Sequence, residues 1–130
     1  MTTAAPSATA VVAQELLSLV RAGRHMEAID RLYSPGIVSV EPLSFPQMPA
    51  EMTGIEAIRA KNQWWLDNNV VHDAQSNGPY VGEDQFAVHY VWETTFKPTG
   101  ERKRMTEMAL YTVKDGKIVR EEFFYHMPSA

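Results

Sequence analysis

The last third of the chain, residues 85–126, constrains the fold most strongly. Aromatic and β-branched residues alternate with polar ones along three strands joined by two tight turns. The second turn contains Asp115-Gly116, a pair typical of a mirror-image hairpin turn, because that turn needs positive φ and glycine supplies it without strain. A meander of this length must bury one face, so it predicts that upstream helices pack against it.

Helical spacing precedes the meander. Apolar positions over residues 10–22 predict a first helix, which Ser7 or Thr9 can cap, and those over residues 26–33 predict a short second helix. A short strand is expected over Ile37–Glu41.

An apolar loop, residues 42–53, follows that strand and is expected to cover something. Thr53-Gly-Ile-Glu56 is a capping-box pattern at the start of a third helix. A weaker strand pattern covers residues 70–80. Helices grouped ahead of an antiparallel sheet predict an α+β fold.

Length and composition set the organisation of the chain. At 130 residues it is expected to form one domain over residues 10–130, after a flexible tail over residues 1–9. The absence of cysteine excludes thiol catalysis and thiolate metal sites. A net charge of −4 argues against nucleic-acid binding, and no apolar run is long enough to span a membrane. Residues 1–9 lack the features of a secretory signal, so a cytoplasmic location is expected.

Several local strings identify a family resemblance. They are Ala22-Gly-Arg24, Ala28-Ile-Asp-Arg-Leu-Tyr33, Val38-Ser-Val-Glu-Pro42, Gly54-Ile-Glu-Ala-Ile-Arg59 and Tyr111-Thr-Val-Lys-Asp-Gly-Lys-Ile-Val119. With the order of elements, they resemble the SnoaL-like proteins of the nuclear transport factor 2-like superfamily. The resemblance implies a cone-shaped, curved antiparallel sheet wrapped around three helices, a pocket at its open end, and a homodimer formed through the sheet. It implies no single activity, because relatives include isomerases, cyclases, dehydratases and non-enzymatic proteins.

Glu41 is the first candidate catalytic residue. It stands just before Pro42, where the resemblance to ketosteroid isomerases places a carboxylate base. In an apolar pocket, a carboxylate loses hydration and its pKa rises toward neutrality, which suits proton transfer. The alternative is a solvated glutamate at the end of a strand.

Glu107 is the second candidate. Strand alternation puts it on one face with Met105 and Tyr111, and that face is predicted to line the pocket. A buried glutamate is costly unless it is paired, so it would be kept for binding, proton transfer or a structural hydrogen bond. A strand slip of one residue would instead turn it to solvent or to the dimer interface.

Other candidates would contact a ligand. Tyr90 and Trp92 share the face that the resemblance directs into the cavity, and Asn62 and Trp65 lie on the inner face of the third helix. Core packing is the alternative for Trp92, and a structural hydrogen bond is the alternative for Asn62. His126 ends the last strand on the parity of Phe124 and lies near the pocket mouth if the family geometry holds; the alternative is an exposed histidine near a chain end.

No functional role is predicted for two further sets of charged or titratable residues. The remaining histidines lack metal-ligand spacing, so no metal is expected. Arg102-Lys103-Arg104 is predicted to be a solvated hairpin flank.

The sequence departs from the ketosteroid isomerase pattern at both enolate-stabilising positions. Leu16 takes the place of the tyrosine, and Met108 or Ala109 takes the place of the carboxylic acid. Losing one such donor typically costs about 10²–10³ in rate, so true ketosteroid isomerisation is not expected.

The leading hypothesis is therefore a cofactor-free acid–base enzyme for a small apolar, oxygen-bearing molecule. Glu41 would be the base and Glu107 a second acid or orienting group; Trp65, Trp92 and Tyr111 would form the walls, under a partial lid at residues 42–53. A non-catalytic ligand-binding homodimer is the first alternative. A protein-recognition module is the second, suggested by an outward row of apolar residues: Ala87, Val91, Met108 and Leu110.

Overall fold

A computed structural model describes residues 6–44 and 48–126 of the protein. In this part of the chain the elements are α1 (Ala8–Arg21), α2 (His25–Leu32), β1 (Tyr33–Val40), β2 (Glu51–Thr53), α3 (Ile55–Asn68), β3 (Asn69–Val81), β4 (Gln85–Phe96), β5 (Glu101–Lys114) and β6 (Lys117–Phe124). The predicted α+β class and order of elements are confirmed, with one additional short strand, β2. That strand lies inside the segment predicted to be a loop.

The six strands form one curved, unclosed sheet in the order β2-β1-β6-β5-β4-β3. Every neighbouring pair is antiparallel except β1 and β6, which run in parallel. Parallel neighbours need a long crossover, and here α3 and the other strands provide it. The expected antiparallel sheet therefore contains one parallel pair, and this pair lies at the candidate site.

The predicted meander is β4, β5 and β6. Its second turn places both Asp115 and Gly116 at positive φ, +52° and +76°, as a type I′ hairpin turn requires. The β4–β5 register is continuous from Gln85 opposite Thr112 to Phe96 opposite Glu101. Inward and outward side chains therefore alternate along both strands without a slip.

The start of α1 lies earlier than predicted. Ser7 is the N-cap and its hydroxyl accepts a hydrogen bond from the Ala10 N–H at 3.1 Å. Ala8 and Thr9, which were predicted to belong to the tail, are helical, and the Thr9 hydroxyl donates to the carbonyl of Glu83 at 2.8 Å. Residues 1–5 of the predicted tail lie outside the described residues.

The predicted capping box at α3 is wrong. The N-cap is Gly54, at φ +100°, and no side chain caps the helix. Thr53 belongs to β2 and pairs with Val38, while the Gly54 N–H donates to the carbonyl of Ile37 at 2.8 Å. Sheet pairing therefore holds the chain in a conformation that removes the Thr53 side chain from the helix end.

The main core lies between the helices and the inner face of the sheet. It joins the apolar faces of α1 and α2 to Ile58 and to inward residues such as Phe86 and Ala109. The outer face exposes Met108 and Phe124. Among the described residues, no helix is long and apolar enough to cross a membrane.

Candidate functional site

The helices and the inner face of the sheet surround a cavity of about 710 Å³. This volume is typical of a small-molecule site. Apolar and aromatic side chains form most of the lining, to which α1, α2, α3, β4 and β5 all contribute. Charged residues are few, and their environments decide what the cavity can do: Glu41, Lys61, Lys103, Glu107 and Glu121.

Glu107 lies on the inner face of β5 and lines the cavity with Met105 and Tyr111, as the alternation predicted. Its Oε1 accepts a hydrogen bond from Trp92 Nε1 at 3.1 Å. Removal from bulk water is the main cause that raises the pKa of Glu107 to about 7, while the Trp92 hydrogen bond opposes the rise. The carboxyl can therefore both accept and donate a proton near neutral pH.

Glu41 also lines the cavity, but its environment differs. Its Oε1 lies 2.7 Å from Lys61 Nζ, and both side chains are mostly buried. Lys61 also donates to the Ser39 hydroxyl at 2.9 Å, and its ammonium lies 5.2 Å from the centre of the Phe123 ring. Glu41 is thus one half of a nearly buried ion pair that fixes its orientation and balances its charge.

A third carboxylate, Glu121, was missed by the sequence analysis. It is only 2% exposed, and Tyr33 donates to its Oε2 at 2.6 Å. Burial raises the pKa of Glu121, opposed by Lys61 and by the hydrogen bonds from Tyr33 and Ser39. Because Ser39 and Glu121 are register partners on β1 and β6, the parallel strand pair brings this group to the cavity.

A register shift explains the omission of Glu121. The β5–β6 pairing is irregular between Thr112 and Val113, and the β1–β6 pairing is irregular between Tyr33 and Val38. Simple alternation from the buried Ile118 puts Glu122 inside, whereas the structure buries Glu121. An irregularity of one residue exchanges the faces of a strand, and the sequence carries no clear signal of it here.

The same shift decides the position of His126. The structure places Glu121, Phe123 and Tyr125 at the cavity, while Phe124 and His126 are exposed. His126 is not among the residues that line the cavity. Its neighbour Tyr125 takes the predicted position, and burial followed by the nearby charge of Glu41 raises the pKa of its phenol.

The predicted aromatic residues come together. Trp92 packs against Trp65 in an edge-to-face contact, with centroids 5.5 Å apart, and stacks on Tyr90 at 5.7 Å. The hydroxyls of Tyr90 and Tyr111 are hydrogen-bonded at 2.8 Å. Burial raises the pKa of both phenols, so they stay protonated. Tyr111 therefore contributes a hydroxyl as well as the predicted wall.

Asn62 lines the cavity, but its amide is engaged elsewhere. The Nδ2 group donates to the carbonyl of Ile58 at 2.9 Å, one turn earlier in α3. Tyr90 and Glu41, the other polar side chains expected to face the cavity near it, interact with other residues. Of the predicted lid, Leu43, Met48, Pro49 and Met52 line the cavity, and residues 45–47 lie outside the described residues.

Other lining residues were also missed. Lys61 gave no distinct signal, because a lysine on a helix usually faces solvent. His25 lines the cavity 6.0 Å from Trp92 between ring centroids, and burial lowers its pKa. Within residues 6–44 and 48–126, no cluster of three acidic or histidine side chains has the arrangement of a metal site.

A curved sheet around three helices with a cavity between them defines the nuclear transport factor 2-like class of folds. Within it, the SnoaL-like domain family matches residues 7–125, and the chain belongs to this family. The predicted family is therefore confirmed. No functionally curated protein matches the chain.

Solved structures agree with this assignment. A protein of Mesorhizobium loti, provisionally named a SnoaL-like polyketide cyclase, is 41% identical over 89% of this chain and 97% of its own, with a TM-score of 0.84. A Jannaschia protein of the same provisional name is 15% identical over 95% and 91% of the two chains, with a TM-score of 0.76. A nuclear transport factor 2-like protein of unknown function from Burkholderia pseudomallei is 10% identical over 93% and 92%, with a TM-score of 0.75. The last two show the fold alone.

Proposed function

We propose that the protein is a cofactor-independent acid–base enzyme that transfers a proton on a small, largely apolar, oxygen-bearing molecule. The observation that carries the proposal is the carboxyl of Glu107, which faces an apolar cavity and has a pKa of about 7. An acid–base group works best when its pKa lies near the working pH. The similarity to a provisionally named polyketide cyclase supports the same class of reaction.

Glu107 is better suited than Glu41 to be the group that exchanges the proton. The Lys61 ammonium occupies one oxygen of Glu41 at 2.7 Å and favours the ionised form. Among the described residues, Glu107 has only the indole hydrogen bond, so its charged form is less stabilised. Glu41 and Lys61 would then orient the polar end of the ligand.

The proposed step is proton removal from a carbon next to a carbonyl group. The Glu107 carboxylate takes the proton, and the electron pair of the C–H bond moves to form an enolate. Tyr90 is the register partner of Glu107 and stays protonated, so its hydroxyl would donate to the carbonyl oxygen. Return of the proton to another carbon gives isomerisation. In cyclisation, the enolate carbon bonds to a second carbonyl carbon, the π electrons of that carbonyl move to its oxygen, and this oxygen receives the proton from Glu107.

Deuterium exchange tests this step without knowledge of the natural substrate. 2-Acetylnaphthalene, an apolar methyl ketone, would be incubated in deuterated buffer and its methyl signal followed by NMR. The native protein should accelerate exchange with a pH profile that rises around pH 7, and Glu107→Gln should abolish the acceleration. Glu93→Gln is the matched control, because Glu93 lies on β4 and pairs with Arg102 instead of lining the cavity. Equal exchange by native protein and Glu107→Gln would contradict the proposal.

A non-catalytic ligand-binding protein is the second candidate. The observation in its favour is that the three acidic side chains of the cavity all have internal partners: Lys61 for Glu41, Trp92 for Glu107 and Tyr33 for Glu121. This candidate predicts that the same ketone raises the melting temperature without any exchange. The two readouts on one sample separate the candidates.

The homodimer remains part of the proposal. Met108 and Phe124 are register partners on the outer face of the sheet and are 40% and 50% exposed. A second copy of the chain would remove this apolar pair from water. Sedimentation velocity should show a dimer, and the double substitution Met108→Lys/Phe124→Lys should give a monomer. A monomeric native protein would contradict it.

A further inference from the structure

One row of side chains on β5 extends along the cavity. Lys103, Met105, Glu107 and Tyr111 all line it, and all share the inner face of the strand. A strand rises about 3.4 Å per residue, so the backbone positions of Lys103 and Glu107 are about 13 Å apart. The row therefore places a cation and the proposed proton-transfer group at separated points of one cavity.

The two ends of this row differ in exposure. Tyr111 is 3% exposed and Ala109 is fully buried, whereas Glu107, Met105 and Lys103 are partly exposed. Trp64, another lining residue, is 41% exposed and packs against Phe96, with centroids 6.2 Å apart. Phe96 and Lys103 thus belong to the same outer end, two residues from each other across the β4–β5 register. Lys103 lies at the mouth.

The charge of Lys103 is not balanced by a neighbour. Among the described residues, no carboxylate lies within ion-pair distance of its ammonium, whereas the adjacent Arg102 pairs with Glu93 at 3.2 Å. The other cation of the cavity, Lys61, is neutralised by Glu41. Lys103 is therefore the cavity-lining cation with free capacity for an anionic oxygen, in contrast to the solvated flank that the sequence predicted.

We propose that the cavity takes an elongated, apolar carbonyl compound with a carboxylate at the end opposite its reacting carbon, and that Lys103 binds this carboxylate. The inference rests on the proposed function, because it places the reacting carbon beside Glu107. Lys103 is then a specificity-determining residue at the mouth.

The charges also fix the orientation of such a ligand. An anionic end placed deep in the cavity would meet the carboxyl groups of Glu107 and Glu121, and the cation there, Lys61, is already paired with Glu41. Like charges in a site of low polarity repel each other strongly. At the mouth, the same carboxylate meets Lys103 and keeps part of its hydration, so the apolar carbonyl end enters first.

A matched pair of probes tests the inference. 6-Acetyl-2-naphthoate and its methyl ester share the rings and the ketone but differ in the negative charge. Isothermal titration should show that native protein binds the carboxylate about tenfold more tightly than the ester, since a charge-assisted hydrogen bond is added. Lys103→Met should remove this preference without changing ester affinity, and Lys103→Arg should keep most of it. Lys97→Met is the control, because Lys97 lies in the turn that follows β4 and does not line the cavity.

Two results would overturn the inference. One is equal binding of the carboxylate and the ester by native protein. The other is an equal loss of both affinities in Lys103→Met, which would indicate a packing role. Titration of Glu107→Gln separates this inference from the proposed function: the carboxylate preference should persist there even though proton exchange is lost. Persistence of the preference together with no exchange by native protein would refute the catalytic proposal while leaving the Lys103 site in place.

Discussion

The cavity contains two acidic regions that differ in how their charge is stabilised. The first joins Glu41, Lys61, Ser39 and Glu121 where β1, β6 and α3 meet, and each acidic side chain has a cation or hydroxyl partner. The second is Glu107 on β5, whose one hydrogen bond within the described part of the chain comes from Trp92. The comparison shows that burial raises the pKa of a carboxyl in both regions, at Glu107 and at Glu121, and that the ion pair and hydrogen bonds of the first region oppose the rise and fix its side chains in position.

The largest loss of stability is expected when the ion pair of the first region is broken. Lys61→Met leaves Glu41 mostly buried without its cation, and removal of one partner from a buried pair costs about 3–4 kcal/mol of unfolding free energy. Urea unfolding measures the loss. The double substitution Glu41→Gln/Lys61→Met removes both charges and should recover most of the stability. If the losses in the single variants Lys61→Met and Glu41→Gln simply add in the double variant, the interaction between the two charges does not contribute to stability.

The second prediction concerns stability against pH in the Glu107 region. The pKa of Glu107 is about 7 in the folded protein and 4.5 in the reference state, so between these values the folded state binds more protons than the unfolded one. Ionisation of Glu107 therefore lowers stability as pH rises through this window. Glu107→Gln should be more stable than native protein by about 2–3 kcal/mol above pH 7, with the difference vanishing below pH 4.5.

Urea unfolding across that pH range measures the difference, with Glu93→Gln as the control on the outer face. A difference independent of pH would show that Glu107 has an ordinary pKa. That result would remove the contrast between the two regions.

A smaller effect is expected at Tyr33. Its hydroxyl donates to the buried Glu121 at 2.6 Å, so Tyr33→Phe removes one donor from a carboxylate that cannot reach water. Loss of a hydrogen bond to a charged group costs about 1.5–2 kcal/mol. Thermal unfolding measures this loss. Repeating the Tyr33→Phe substitution in a Glu121→Gln background tests whether the hydrogen bond contributes less when residue 121 carries no charge. No change in Tyr33→Phe would mean that Ser39 and Lys61 suffice for Glu121.

The smallest expected effect is a change in the pKa of Glu107 in the second region. Trp92→Phe removes the indole N–H that stabilises ionised Glu107 and should raise the pKa of that carboxyl by roughly one unit. NMR titration of the side-chain carboxyl measures it. A lower pKa of Glu107 in Trp92→Phe would contradict this expectation. It would indicate that water had entered the space left by the indole and that hydration controls the pKa of Glu107.

Sequence reasoning located most of the fold because its signals are local. The Asp115-Gly116 turn and the alternation along β4 and β5 follow from backbone conformation and strand period, and both are as predicted. The failures are of another kind. Thr53 was predicted to cap α3, but its pairing in β2 with Val38 prevails over a local preference.

Among the residues of the candidate site, some were likewise placed correctly from local patterns and others were not. Alternation placed Glu107 toward the cavity, and alternation together with the family resemblance placed Tyr90 and Trp92 there; all three line it. Glu121 was missed and His126 was expected at the mouth, because irregular pairing near the start of β6 exchanges its two faces. A single shifted residue is invisible to a periodicity argument, which assumes that the period is unbroken.

By itself, the sequence determined the family, the meander and the inward face of β5, since these depend on residue type, spacing and turn chemistry within short segments. Only the tertiary structure decided that Lys61 neutralises Glu41, that Glu121 is buried and that Lys103 lines the cavity. The physical reason is that charge balance and desolvation depend on neighbours distant in sequence. Packing in three dimensions chooses those neighbours.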